Sequence, residues 1–297
     1  MSVINNFVIS SSLVLSAVSP LSAAEPVQFH PIESLKEINT SQPDKTIFFL
    51  DLDDTVFDFP LMLGSKAWRR YIVGATKKID PSQNWHDKLT FLLAKHLPLH
   101  TVEEMTSSFV NELQEKGYVV CGLTSRERNQ WYNTSQEGVD ELTINQLKSV
   151  NIDFNNNSLE NNYPFLAFDS EYHDATFFAD TSLKGDYLIK IFKAGDQIHF
   201  PKKAIFIDDK DSQVTSVINA LNELGIENEG YYYKATEEKA KSFDPWVANI
   251  QLYYFVTSNY STIYTDEEAA SIKEAQSHLD ANYYLEETLK FAKSHNL

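Results

Sequence analysis

A chain of 297 residues, 42% of them hydrophobic and only one a cysteine, can bury a sizeable core and must do so without an internal disulfide. Its 42 acidic residues outnumber 25 basic ones, giving a formal net charge of −17. A surface of that sign repels phosphate backbones and anionic lipid, so no nucleic-acid partner and no docking on an acidic membrane are expected, whereas a cation would be welcome.

No charged side chain precedes Glu25, a short apolar stretch runs from Phe7 to Val18, and small residues stand at Ser22, Ala23 and Ala24. This pattern predicts a secretory leader over residues 1–24, cleaved near Ala24, and hence a periplasmic or secreted protein; the departure is an n-region without Lys or Arg. No cysteine stands directly after the expected cleavage point, so no lipid anchor is expected there. No later stretch approaches the ~18 apolar residues of a membrane-spanning helix, so no membrane span is expected.

Lys45–Leu50 reads as a buried strand that ends at Asp51. Residues 64–78 and 80–97 read as two helices. Residues 101–117 read as a third, amphipathic one, with Thr101 as cap, Glu104 three positions on and Gly117 as its stop. The run 118–123 is a second strand, in which Cys121 is a buried strand residue rather than a nucleophile. Residues 126–150 look mostly helical, 151–172 looped, and 175–180 extended. Then come a helix opening at Lys184, a third clear strand ending at Asp208, an amphipathic helix over 211–225, a possible strand near 229–236 and a helical C-terminal extension. Strands alternating with helices predict an α/β fold with a Rossmann-like parallel sheet. The stretch from Asp51 to Tyr118 is too long for one crossover helix. Residues 58–100 are therefore read as a small helical cap inserted into a core made of 25–57 and 101–297, with the mouth beneath it moderately open.

Ligands of open α/β sheets sit outside the carboxyl ends of the strands. Each clear strand ends there in polar groups: Asp51 and Asp53 after the first, Thr124 and Ser125 after the second, Asp208 and Asp209 after the third. So many carboxylates are costly together unless a cation sits among them, and hard oxygen ligands suit Mg²⁺. A Ca²⁺ loop of the EF-hand kind is excluded, because neither acidic run has Gly at its sixth place or Glu at its twelfth. Arg69 and Arg70 read as a solvated helix face, with the clamping of a second substrate anion as the alternative, and Arg126 stands in the same position.

The set resembles the haloacid dehalogenase superfamily, and within it the aspartate-nucleophile phosphohydrolases. The resemblance rests on "DLDDT" from Asp51, on Thr124 in "CGLTS", on Lys184 in "SLKGDYL" and on the paired acids of "AIFIDDKDS", in the family's order. The region after residue 230 also resembles a group of secreted bacterial proteins of that kind with no assigned substrate. The resemblance implies a Mg²⁺-dependent phosphomonoesterase acting on a small phosphorylated metabolite or a phosphorylated side chain. Asp51 would be the nucleophile that becomes an aspartyl phosphate, and Asp53 the general acid and base. Thr124, with Ser125 as its alternative, and Lys184 would hold the phosphoryl group, with Arg126 as a further substrate contact. Asp51, the Asp53 main chain, Asp208 and Asp209 would hold the metal; which of Asp208 and Asp209 ligates directly stays open, with Asp211 a third candidate. An acid at Asp53 points to ester hydrolysis within the superfamily. The alternatives are a non-catalytic binding protein or secreted effector on this scaffold, and a phosphotransferase or phosphomutase. Asp54 stands where many members have Gly.

Overall fold

The computed structural model describes residues 28–41, 44–132, 134–154, 158–180 and 183–297; the expected leader lies outside them. In chain order the elements begin with β1 (His30–Ile32), β2 (Thr46–Leu50), β3 (Phe57–Asp58), α1 (Lys66–Ile79), α2 (Trp85–His96), β4 (His100–Thr101), α3 (Thr106–Glu115) and β5 (Val119–Thr124). There follow α4 (Val139–Ser149), α5 (Ser158–Asn162), α6 (Pro164–Ala167), β6 (Tyr172–His173), β7 (Thr176–Phe178), α7 (Lys184–Ala194), β8 (Lys203–Asp208), α8 (Asp211–Glu223) and β9 (Glu227–Tyr233). The chain closes with α9 (Glu237–Lys241), α10 (Pro245–Thr257), α11 (Asp266–Ala275) and α12 (Tyr283–Ser294).

Seven strands form one sheet in the order β1-β9-β8-β2-β5-β7-β6, parallel except where β6 pairs antiparallel with β7. All five residues of β2 are buried. A strand whose alternate side chains point to opposite faces can be buried throughout only if both faces are covered, which is why it reads as an unbroken apolar run. The chain leaves β2 for β5 on one side and later returns to β8 on the other. The carboxyl end of β2 is therefore the point where strand order reverses, the place where open α/β sheets leave a crevice.

The helices of the 58–100 segment share an apolar core with the C-terminal extension rather than standing alone. Trp68 and Ile72 of α1 and Trp85, Leu89 and Leu93 of α2 cluster with Leu252 and Phe255 of α10 and Leu285 and Leu289 of α12. In α10 eight of thirteen residues are buried, so it is the inner helix of this body; its apolar residues surround it, as expected of a helix covered on all sides. Gln251 of α10 accepts a hydrogen bond from Leu63 N and donates to Asp266 Oδ1, tying the cap's entry loop to α11.

Three local expectations change. Thr101 does not cap a helix: His100–Thr101 pairs antiparallel with Phe57–Asp58, and α3 starts at Thr106. Glu103, just before α3, instead accepts hydrogen bonds from Ser34 Oγ, Leu35 N and Tyr233 Oη, fastening the chain's start to the sheet. The described residues of 126–138 are not helical, since Gln130 bridges to Glu137 and Gly138 takes φ 74, and the helix runs over Val139–Ser149. The expected loop after residue 151 holds the short α5 and α6, and β1 was not anticipated.

Candidate metal centre and active site

Asp51 follows β2 directly, and its main-chain N–H donates to Ile207 O of β8 at 2.9 Å, which seats it against the strand that carries Asp208. Thr124 ends β5, the other neighbour of β2, and is buried. Its Oγ1 accepts from Arg126 N at 3.2 Å. Ser125 follows it half-buried.

Lys184 is the first residue of α7, a helix without a side-chain cap of its own. Two side chains of α8 supply the missing acceptors: Gln213 Oε1 takes Lys184 N at 3.0 Å and Ser216 Oγ takes Gly185 N at 3.2 Å. The helices approach so closely that a Cβ on Gly185 would lie 2.1 Å from Ser216 O, so only glycine fits there. So fixed, Lys184 extends its ammonium between two carboxylates, 2.5 Å from Asp51 Oδ1 and 2.5 Å from Asp208 Oδ2.

Asp51, Asp208 and Asp209 are all buried, and one carboxylate oxygen of each lies within 4.8 Å of the others, close enough to hold a metal ion together. The donor set is all oxygen. Asp208 is fully engaged, since Oδ1 accepts from Lys210 N at 2.8 Å while Oδ2 meets Lys184. Among the described residues, Asp209 Oδ1 has no hydrogen-bond partner despite its burial. An orphaned anionic oxygen in a dry site is expensive unless a cation takes it up, so these residues fit a divalent ion.

The other acids around β2 each have a cation of their own. Asp53 receives Arg126 in a bidentate pair, Nε at 2.9 Å and Nη2 at 2.8 Å. Asp54 pairs with Arg69, and Asp58 with Lys239 at 2.5 Å. Asp209 meets Lys66, 2.6 Å from Oδ2, whose ammonium also donates to the Asp209 carbonyl at 2.9 Å. Asp54 takes φ 66, a left-handed conformation that Gly adopts freely and that Asp tolerates better than most residues. In all, six carboxylates face five cations in direct ion pairs, and Lys210 adds a sixth positive charge close to Asp51, Asp208 and Asp209.

Burial and the neighbouring Asp208 push the Asp51 carboxyl up to about 6 against the pull of Lys184. Burial likewise raises Asp208 and Asp209. Burial also works to raise Asp53, but the Arg126 guanidinium overrides it and holds this carboxyl down to about 2. A carboxyl must lose its proton before it can ligate. Divalent-metal affinity, measured by calorimetry, is thus expected to strengthen as pH rises through about 6, with protons released on binding below that point. Affinity unchanged from about pH 5 to about pH 8 would contradict this placement of Asp51 among the ligands.

The structure brings Asp51, Lys184, Asp208 and Asp209 into direct contact or close reach, with Thr124 on the adjoining strand end and Asp53 beside them. Arg126 is 3% exposed, and its guanidinium is committed to Asp53, to Thr143 Oγ1 at 2.9 Å and to Gln146 Oε1 at 2.6 Å. Asp211 lies in the first turn of α8, exposed and outside the three-acid group. Arg69 does not lie on a solvated face: it donates to Asp54 and, at 2.6 Å, to Gly64 O. Lys66 and Lys239 were not singled out in the sequence. A signal for Lys66 was present, because α1 opens with Lys66 and Arg69 and no acid, the reverse of what a helix N-terminus favours.

The space above Asp53 is nearly filled. A cavity of about 30 Å³ lies between Phe59, Trp68 and Leu93 of the cap and Asp53, Arg126 and Trp131 of the core. A larger surface cavity of about 600 Å³ opens beside it, lined by residues of the 127–130 segment, the end of β7 and α7, but by none of the three clustered acids.

The model of a family described as protein of unknown function, DUF2608, matches residues 28–270. The chain belongs to this family. The match takes in the three-acid group, both lysines that touch it and the cap helices. No curated protein and no solved structure matches the chain significantly. Among the described residues, no helix is long and apolar enough to cross a membrane.

Proposed function

We propose that this member of the DUF2608 family is a Mg²⁺-dependent phosphomonoesterase of the haloacid dehalogenase type, working in the periplasm or outside the cell. The observation that carries the reading is the contact of one buried lysine, Lys184, with both Asp51 and Asp208 at the switch point of the sheet, next to the unpartnered oxygen of Asp209. Asp51, Asp208 and Asp209 would hold the metal, with Asp209 the direct ligand of the fourth motif and Asp208 the acid that positions Lys184. A divalent cation there would offset the repulsion between an incoming phosphate dianion and the carboxylates around it.

The protein's own groups divide the remaining work. Asp51 attacks phosphorus, and the ester oxygen leaves with its electron pair. Lys184 draws charge from Asp51 and from the phosphoryl oxygens, and the Thr124 hydroxyl can donate to one of them. Asp53 in its ionised form is suited to take a proton from the water that hydrolyses the aspartyl phosphate. To protonate a departing alcohol it must first take up a proton, and so loosen its pair with Arg126.

That pair is also the observation that favours a second reading, a binding protein on the same scaffold, because an ionised Asp53 is the wrong form for a proton donor. Hydrolysis of p-nitrophenyl phosphate with and without Mg²⁺ decides between them, since nitrophenolate leaves without a donated proton. Metal-dependent release of nitrophenol is expected. Its absence at saturating metal would leave the binding reading. Addition of an acceptor alcohol separates a hydrolase, which yields phosphate alone, from a phosphotransferase.

A further inference from the structure

The small cavity beside Asp53 belongs to neither the metal group nor the lysine that touches it. Its walls are unequal. Phe59, Trp68 and Leu93 come from the cap and are buried and apolar; the cap also contributes Thr90 and Arg69, the latter paired with Asp54. Across from them, the charges of Asp53 and Arg126 satisfy each other, and the guanidinium lies over the Trp131 ring at 5.6 Å. Trp131 spends its own N–H on Thr90 Oγ1 at 3.2 Å. Trp68 is fully buried, and its indole N–H has no partner among the described residues. A guest there meets aromatic and aliphatic surface beside charges that are already paired, and few groups able to replace water around several hydroxyls.

The position matters as much as the lining. Among the described residues, Asp53 is the one carboxylate in the wall, and it is the group assigned to the leaving oxygen. A space that touches Asp53 but not Asp51, Asp208 or Asp209 lies on the leaving-group side of the phosphorus. At about 30 Å³ it has room for one water, so any larger guest enters by separating cap from core. The ties across that seam are the ion pairs of Lys66 with Asp209 and Arg69 with Asp54, the hydrogen bond from Gln146 Nε2 to Ala94 O at 2.6 Å, and an apolar contact of Phe91 and Ala94 with Trp131 and Val139.

Resting on the phosphatase reading above, we propose that this chamber is the leaving-group subsite and selects phosphomonoesters of compact apolar alcohols, aromatic ones foremost, over esters of polyols and sugars. The cap closes on the ring, and Trp68 offers its N–H to a single acceptor on it.

The test uses the mature chain with saturating Mg²⁺ and two non-hydrolysable probes of similar size, benzylphosphonate and 2,3-dihydroxypropylphosphonate, titrated by calorimetry. Benzylphosphonate is expected to bind on the order of 30-fold tighter, the effect of taking roughly one ring's apolar surface out of water at ~25 cal/mol/Å². In Leu93→Gln that ratio is expected to collapse toward unity. Equal affinities in the wild-type chain, tighter binding of the diol, or no binding of either probe would overturn the proposal. Hydrolysis of benzyl phosphate and glycerol phosphate, two alkyl esters that need a proton donor alike, is followed in parallel. Selective binding of benzylphosphonate without turnover of either ester would uphold the chamber and sink the hydrolase reading. Equal turnover and equal binding would do the reverse.

Discussion

Replacing Asp51 with Asn should lower kcat for p-nitrophenyl phosphate by about 10⁴-fold or more, because an amide oxygen does not form the covalent phosphoryl intermediate and the groups around it act only with it. The substitution keeps the side chain's size and leaves Lys184 paired with Asp208. It should therefore leave the fold intact, and the direction of the stability change follows from the carboxyl's own titration. Asp51 is pushed up to about 6 by burial and by Asp208. A folded-state value above the ordinary carboxylate range means that the folded chain binds more protons between the two values. The charge of Asp51 therefore destabilises the fold as pH rises through about 6. At neutral pH Asp51→Asn should hold or raise Tm in the absence of metal, while losing turnover and weakening metal binding. A variant that turns over at the wild-type rate would remove Asp51 from the role of nucleophile.

Lys184→Met should have the largest effect on stability. The ammonium is 1% exposed and touches Asp51 and Asp208 at 2.5 Å each, with Asp209 next in the chain. Removing one partner of a buried ion pair leaves uncompensated charge and costs about 3–5 kcal/mol. For a chain of this size that lowers Tm by roughly 10 °C. A divalent cation restores positive charge to the same acids, so Mg²⁺ is expected to raise Tm more in Lys184→Met than in the wild type. Thermal unfolding with and without Mg²⁺ reads both effects. A variant as stable as the wild type in chelator would show that the lysine does not neutralise these acids, and a metal-independent Tm would show that they do not hold the ion.

The acids themselves were legible in the sequence because of where they stand. A strand buried on both faces is an apolar run, and Asp51, Thr124 and Asp208 interrupt three such runs at the ends that line the crevice. Lys184 was legible by its place at a helix start before Gly185, and the structure gives the reason in the close approach of Ser216. The cations that pair with Asp53, Asp54, Asp58 and Asp209 were not legible. Lys66, Arg69 and Lys239 sit on helices, where basic residues ordinarily face water, and nothing local shows which helix docks on the acidic loop. Their pairing depends on the shared core of α1, α2, α10 and α12, a contact between segments far apart in the chain. The Thr101 cap failed for a similar reason: the residue pairs with Phe57 across the base of the cap, and a tertiary contact overrides the local helix signal.

The ion pairs also account for the crowding of like charge after β2. Asp51, Asp53, Asp54 and Asp58 each answer to a different cation, while among the described residues Asp209 keeps an unshared oxygen. Addition of a divalent ion turns the cluster net positive and ready for a phosphate dianion.

The most direct measurement of that claim is fluorine NMR of the chain with Mg²⁺ and beryllofluoride, which mimics a phosphoryl group on a carboxylate and needs no turnover. Resonances of one bound beryllofluoride per chain are expected, dependent on Mg²⁺ and lost in both Asp51→Asn and Asp209→Asn. No bound signal in the wild type at saturating Mg²⁺, or an undiminished one in Asp51→Asn, would contradict the account.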